Sequence, residues 1–526
     1  MTWKKIKNGR SGAPHGIVSA RAGTGKTFTM IEGINRVLGT PTSGVVGTGE
    51  QESIWSFMAQ GDAPATITMI AFNRAIAAEA KSKIPTREGV TASTFNSFGF
   101  KTYLRGTRGK VKLEKFKVRN IIGDEFLRTD TSQNRAIAAA TANIVGKAKA
   151  TLTGHWDGTT YTIDRDELRL LQARFAVDCN GHEGAIFELV PRVLARCIEI
   201  RDVIDFDDQI WLPHILGMAY PMSDLLIVDE AQDMNRCQAE TLLRAGRRII
   251  AVGDEFQAIY GFRGADTQSM ERLESLLSDD PRGCEVYSLT ATRRCPASHV
   301  ELVQPLVGDI TAMAEAPDGR IDEVDLDGMM SGVRSGDMVL CRTNAPLVSV
   351  CFKLISKGVK AVIQGRDIGD GLLRLVDKLA DNPVVSTVAD LGAALDDYGA
   401  KEFTRLSKSR HSGALLQSMQ DRCDCIRALC SGRDSIDAVR IWIRDVFADV
   451  FPDGKPRVGV LLSSVHRAKG LESDTVYILN RELMPHPMAK LEWERAQEKN
   501  IEYVAKTRSR DRLVFVVNKE EEEEGD

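Results

Sequence analysis

The stretch ARAGTGKT, residues 20–27, directly after the apolar Gly16-Ile17-Val18, limits what this chain can fold into more than any other. A glycine turn of this kind needs a strand before it and a helix after it, because only then do backbone N–H groups and a helix N-terminus point together at phosphate. Lys26 is placed to reach the outer phosphates and Thr27 to offer its hydroxyl to magnesium. Ala20 stands at the first glycine of the usual pattern, which the turn tolerates if that residue keeps a negative φ. Far downstream, LLIVDEAQD, residues 225–233, reads as a buried strand ending in two acids. Asp229 is the carboxylate for the metal, and Glu230 is placed to orient or deprotonate an attacking water. Glycine turns and acidic strand ends each recur for packing reasons; the pair together implies hydrolysis of a nucleoside triphosphate.

A third stretch, RRIIAVGDEFQAIYGFRGAD, residues 247–266, is a strand followed by a polar loop carrying Gln257, Tyr260, Phe262 and Arg263. Such a loop can touch a γ-phosphate through Gln257 while offering two rings and a guanidinium to something else. Exposed aromatics beside an arginine suit single-stranded nucleic acid, where stacking contributes about 1–3 kcal/mol per base. An ordinary aromatic core pair is the competing reading.

The chain has 526 residues, enough for three or four modules. It holds no 18-residue uncharged apolar run, and MTWKKIKNGR lacks the apolar centre of a signal peptide, so a cytoplasmic chain without membrane contact is expected. Ten cysteines without disulfide-like spacing fit a reducing compartment. Cys423, Cys425 and Cys430, with His411 upstream, are candidate metal ligands, although C-x-C-x4-C matches paired zinc hooks poorly. A net charge of −4 argues against a uniformly basic binder. Locally, however, Lys101, Arg105, Arg108, Lys110, Lys112, Lys115, Lys117 and Arg119 face a single acid, Glu114. Such a stripe can follow a phosphate backbone, and it can equally be the solvated surface of an inserted domain. The final KEEEEEGD, residues 519–526, reads as a disordered acidic tail.

In chain order these stretches resemble the UvrD/Rep/PcrA-like helicases of superfamily 1. The phosphate loop, DEAQD and VGDEFQAIYGFRGA resemble motifs I, II and III. ITMIAFNRAIAAEAKSKI, residues 67–84, resembles motif Ia, with Phe72 and Asn73 where the family touches DNA. TASTFNSFG, residues 91–99, resembles Ib; Thr94 and Asn96 join the implied DNA contacts, with Asn96 where histidine is usual. IDFDDQI, residues 204–210, resembles the return from a first insertion. LTATRRCP, residues 289–296, resembles motif IV, which puts Arg294 at the first phosphate-contacting arginine. VLCRTNAP, residues 339–346, resembles IVa and makes Arg342 and Asn344 DNA candidates. Residues 458–479 resemble motif V and residues 498–516 motif VI, so that Arg508 falls at the second arginine finger.

The resemblance implies an α/β chain of two RecA-like P-loop NTPase cores with mostly parallel sheets, each interrupted by a mainly helical insertion. The expected boundaries are 1–100 with 202–282 for the first core, split by 101–201. The second core takes 283–370 with 451–526, including the acidic tail, split by 371–450. ATP and Mg2+ are the implied cofactors, with Ala22, Gly23, Thr24, Gly25, Lys26 and Thr27 around the phosphates and Glu472 near the ribose. Two arginines encoded in the other half of the chain reach the γ-phosphate only if two domains close on it; such a finger can be worth roughly 10³–10⁵ in rate, and closure moves one grip on a strand past another.

Departures from the family pattern bear on specificity. No glutamine occurs in residues 1–15 to read adenine, and Thr292-Arg293 replaces the Asn-Tyr that normally precedes the motif IV arginine. VHRAKGLE implies the 3′ to 5′ branch, with His466, Lys469 and Glu472 coupling DNA contact to ATP contact. The leading expectation is an ATP-dependent DNA helicase acting on single-stranded DNA and single-strand/duplex junctions. Its rival is a DNA-sensing ATPase subunit that signals to a nuclease partner; fold alone does not choose, and whether replication or repair is served stays open.

Overall fold

The computed structural model describes residues 12–107, 110–129, 131–175, 177–259, 269–407, 413–447, 459–487, 489 and 492–517. The chain divides into two compact units, Met1–Thr290 and Ala291–Asp526.

In the first unit the strands are β1 (His15–Ala20), β2 (Ile67–Ala71), β3 (Val90–Thr94), β4 (Lys112–Leu113), β5 (His155–Trp156), β6 (Tyr161–Thr162), β7 (Val203–Ile204), β8 (Ser223–Val228), β9 (Gly246–Gly253) and β10 (Cys284–Leu289). Six of them form one sheet in the order β10-β1-β9-β8-β2-β3, with every pairing parallel. A parallel sheet is covered on both faces, so its strands are apolar throughout, not alternating. LLIV in β8 illustrates this: Leu226 and Val228 enter one core, Leu225 and Ile227 the other, and all are at most 2% exposed. The helices Lys26–Val37 and Gly49–Met58 cover the second face. The helix Gly49–Met58 starts on a Thr48/Gln51 capping box, and the buried Arg248 of β9 donates to its C-terminal carbonyls, Phe57 O at 2.7 Å and Met58 O at 2.9 Å.

The other face does not stop at the sheet. Ile17, Ile70, Leu226 and Ile249 share one continuous core with Ile144, Val190, Leu194 and Ile198 of the helical insertion and with Trp211 of the helix Asp208–Ile215 that follows it. The insertion itself is mainly helical, with long helices Ser132–Thr151 and Glu183–Glu199. Its expected start at 101 falls inside the helix Phe95–Thr107, whose Gly99 lies against the helix Asp208–Ile215; a Cβ there would meet Gln209 O at 2.3 Å. The core is pinned by a buried charge cluster: Lys149 Nζ lies 2.7 Å from Asp208 Oδ1 and 2.9 Å from Asp205 Oδ2, and Lys117 Nζ lies 2.7 Å from Asp208 Oδ2. Burial opposes the Lys149 charge, yet Asp208 and Asp205 overcome it and hold its pKa well above the ordinary lysine value. Lys117 is therefore an interior residue and not part of the surface stripe.

The second unit adds β11 (Ala291–Thr292), β12 (Thr311–Ala312), β13 (Arg320–Asp325), β14 (Met338–Cys341), β15 (Ala361–Ile363), β16 (Val460–Ser464), β17 (Ser473–Leu479) and β18 (Ser509–Val517). Its main sheet, β13-β18-β17-β14-β16-β15, is also parallel throughout. Four helices, Arg366–Ala380, Val388–Leu406, Gly413–Cys430 and Ile436–Val446, form the second insertion and share a core with this sheet.

Two expected boundaries shift. The residues 284–289, placed by sequence in the second core, are instead the edge strand β10 of the first sheet, paired with β1 from His15 to Ala20. The second insertion begins at Arg366, where Gly365 at φ 149° turns the chain out of β15, and not at 371. Among the described residues no helix is long and apolar enough to cross a membrane.

Candidate nucleotide site and nucleic-acid interface

The C-terminal ends of β1, β8 and β9 are neighbours in the first sheet, and each ends in a polar loop. Such strand ends are where open α/β sheets bind ligands. After β1, Gly23 at φ 73° and Gly25 at φ 82° make the turn into the helix Lys26–Val37. Both angles lie where only glycine sits without strain. Gly25 is the N-cap and brings no side-chain cap to the helix end, whose N-terminus thus faces the loop as an anion site requires. Ala22 is fully buried, Thr24 Oγ1 donates to Arg21 O at 2.8 Å, and Ala20 keeps a negative φ.

Thr27 and Asp229 meet at this crest: Thr27 Oγ1 donates to Asp229 Oδ2 at 2.6 Å. Lys26 Nζ lies 3.6 Å from Glu230 Oε1. Asp229 is fully buried; burial first, and then the Glu230 charge, push its carboxyl up to about 6 against the pull of Thr27 and Lys26. A hydroxyl and a carboxylate converging on one point are hard oxygen donors of the kind magnesium takes, so these residues fit the metal. Glu230 adopts φ 56°, a left-handed conformation that non-glycine residues hold only where the surroundings impose it.

The third loop closes the network. Gln257, 5% exposed, donates from Nε2 to Asp254 Oδ2 at 2.6 Å, and burial raises the Asp254 pKa. Gln232 links the two acidic loops: its Nε2 donates to Glu230 Oε2, while its Oε1 accepts the Asp254 N–H at 3.0 Å. Arg21 braces the same loop, with Nη1 on Ser19 Oγ at 2.9 Å and its guanidinium 4.8 Å from the Phe256 ring centroid. Sequence reasoning missed Gln232, Asp254 and Arg21. All three sit inside quoted motifs and are at most 5% exposed, a burial that the sequence does not announce.

At the ends of β2 and β3 stand Phe72, 37% exposed, and Thr94, whose strands pair Ala71 with Thr94. Asn73 caps the helix Arg74–Lys83, with Oδ1 accepting from Ile76 N at 2.9 Å. Asn96 Nδ2 donates to Phe206 O at 2.8 Å, and the Phe206 ring is 52% exposed. Phe206 therefore joins this face although the sequence marked only the segment around it. Tyr260, Phe262 and Arg263 lie outside the described residues, as do Arg108, His411 and the acidic tail.

In the second unit Arg294 is ion-paired to Glu472, which also meets Arg510 Nη1 at 3.5 Å. Glu472 is thus held by two arginines. Arg508 is 1% exposed and its guanidinium donates to Val504 O at 2.8 Å, Leu471 O at 3.3 Å and Thr507 Oγ1 at 3.0 Å. Arg342 is also turned inward, forked onto Glu498 with Nε 2.9 Å from Oε2. Asn344 Nδ2 donates to Asp421 Oδ2 at 2.8 Å, and Asp421 Oδ1 accepts the Asn344 and Ala345 N–H groups. Arg342 and Asn344 are thus each held by a carboxylate, Glu498 and Asp421. His466 and Lys469 are half-buried at the turn after β16. Cys423 and Cys425 are buried in the helical core of the second insertion, and no group of three metal-ligating side chains occurs among the described residues.

Residues 7–277 match the family described as UvrD/REP helicase N-terminal domain, and residues 453–520 match the UvrD-like helicase C-terminal domain. Over 118 residues, 22% of this chain and 16% of the relative, the chain is 35% identical to DNA helicase II of Escherichia coli (strain K12). It is 34% identical to ATP-dependent DNA helicase Rep of the same organism over 20% of this chain and 17% of the relative. It is 26% identical to F-box DNA helicase protein 1 of Schizosaccharomyces pombe over 56% of this chain and 34% of the relative. The matched segments therefore span about a third or less of these relatives. The two matching domains follow one another in the family's order, and the first alone takes in more than half of the residues: the chain belongs to the UvrD/REP helicase family.

Proposed function

We propose that the chain is an ATP-dependent DNA helicase that translocates on single-stranded DNA, 3′ to 5′, and separates strands at single-strand/duplex junctions. The observation that carries this reading is the convergence of Lys26, Thr27, Asp229 and Glu230 at one sheet crest, linked through Gln232 to Asp254 and Gln257. Residues 22–27 hold the ATP phosphates, with Lys26 on the outer ones. Thr27 and Asp229 would hold Mg2+, which supplies positive charge against the triphosphate. Glu230 orients the attacking water and takes its proton, and Gln257 stands by to signal the γ-phosphate to the loop that follows it.

Arg294 and Arg508 are the proposed transition-state arginines, a role that requires each to exchange the partners described above. Phe72, Asn73, Thr94, Asn96 and Phe206, with Tyr260, Phe262 and Arg263, are the proposed strand contacts in the first unit; Arg342, Asn344, His466 and Lys469 are those of the second. Exposed rings at strand ends favour stacked bases.

The test is strand separation by the purified chain with ATP and magnesium on matched duplexes carrying a 3′ tail, a 5′ tail or none, with Lys26→Ala as blank. Unwinding of the 3′-tailed duplex alone is expected. Unwinding from a 5′ tail would overturn the polarity, and DNA-stimulated hydrolysis without separation on any substrate would overturn the helicase assignment in favour of a DNA-sensing ATPase.

A further inference from the structure

The insertion of the first unit shows an inversion at its surface. Lys117 is 2% exposed, its ammonium bonded to Cys197 O at 2.8 Å, Ile200 O at 3.1 Å and Asp208. The adjacent Phe116 is 48% exposed, and Leu113 is 49% exposed. A merely solvated face would place the lysine outside and the phenylalanine inside. Here the interior ion pair fixes the lysine, and its neighbour is held out in solvent. Two cations lie over the exposed ring, Lys115 Nζ at 5.4 Å and Arg119 Cζ at 5.8 Å from its centroid. Lys101, Arg105, Lys110 and Lys112 are also exposed, and the single acid of the stretch, Glu114, is 3.3 Å from Lys112 Nζ.

This patch is continuous with the strand contacts proposed above. The short strand β4 pairs with β7, Leu113 opposite Ile204, and two residues beyond lies Phe206, whose carbonyl takes the Asn96 amide. We propose that Leu113, Lys115, Phe116 and Arg119 form an accessory site for an unpaired nucleic-acid strand, lengthening the track beyond the sheet crest. Phe116 and Leu113 receive a base, and the two cations take the phosphates on either side. A duplex offers this surface phosphates only and would gain nothing from an exposed phenylalanine and leucine. The proposal rests on the DNA-binding part of the helicase reading.

The experiment is fluorescence anisotropy of the full chain with oligothymidylates of roughly 8 and roughly 20 nucleotides and a blunt duplex, alongside DNA-stimulated ATP hydrolysis. Phe116→Ala is expected to weaken the longer oligonucleotide about tenfold and leave the shorter one unchanged. Lys115→Gln with Arg119→Gln is expected to lower the salt dependence of the longer one by about 1.4 in slope, since each neutralised single-strand phosphate contributes about 0.7. Unchanged binding of the longer strand, equal loss on both lengths, or loss confined to the duplex would each overturn the accessory site. Length-dependent loss in a chain whose hydrolysis ignores DNA would keep the site and sink the helicase reading. A parent chain that binds neither oligonucleotide would sink both.

Discussion

Thr27 Oγ1 and Asp229 Oδ2 stand 2.6 Å apart although 202 residues separate them in the chain. The sheet order β1-β9-β8 brings them together, one from the helix after β1 and one from the end of β8. Asp229→Asn keeps the shape and removes the charge. ATP hydrolysis is expected to fall by on the order of 10²–10³-fold, as when a group that stabilises transition-state charge is lost. Single-stranded DNA affinity should stay within about twofold, since no DNA contact is proposed near it. Phosphate release and anisotropy on the same preparation check this; undiminished hydrolysis would remove Asp229 from the machinery.

Gln232 bridges Glu230 and the buried Asp254 N–H. Gln232→Ala leaves that N–H without its acceptor, a loss of about 1–3 kcal/mol, and frees Glu230 to leave its strained backbone position. The expected kinetic result is a kcat lowered by roughly tenfold with KM for ATP changed less than about threefold, because position and not binding is disturbed. An effect on KM alone would contradict the bridging role.

Lys149 is the hub of the insertion's charge cluster. Lys149→Met leaves Asp205 and part of Asp208 buried without a cation, which costs about 3–5 kcal/mol. Urea unfolding should show this loss across the whole first unit. A change below about 1 kcal/mol would mean that water replaces the ammonium.

His214 gives the chain a pH dependence. Burial first, and then Arg244 and Arg236, bring its pKa down to about 4 from an ordinary 6.5. The unfolded chain binds the proton more readily, so the contribution is fully present above pH 6.5 and is lost as pH falls towards 4, amounting to about 3 kcal/mol. His214→Gln should flatten stability over that window relative to the parent. Parallel curves for the two proteins would refute the assignment.

The residues with a period or a loop chemistry of their own were legible in sequence. The glycines at 23 and 25 announce a turn that only they can make, and LLIV announces a strand buried on both sides. What sequence did not disclose was decided by tertiary partners. Lys117 looks like any member of a basic run until Asp208 takes it inside, and nothing in VLCRTNAP announces that Glu498 forks onto Arg342. Residues 284–289 read as the start of the second core because they adjoin the motif IV stretch, yet β1 had an open edge and took them as its neighbour. Phe206 lies in IDFDDQI, which the sequence marks only as the return from the first insertion, and its exposure is set by the packing around it.

The shared core of the first sheet and its insertion sets how such a chain can be cut or grafted. Ile17 and Ile70 of the sheet belong to the same buried cluster as Val190, Leu194 and Ile198, so excising residues 101–201 would strip apolar cover from that side of the sheet that carries the phosphate loop. The insertion is therefore no detachable cassette. A smaller fragment carved from the first unit would need a replacement cover of comparable apolar area, whereas substitutions at the insertion's outer surface, where the exposed ring and its cations lie, leave that shared core untouched.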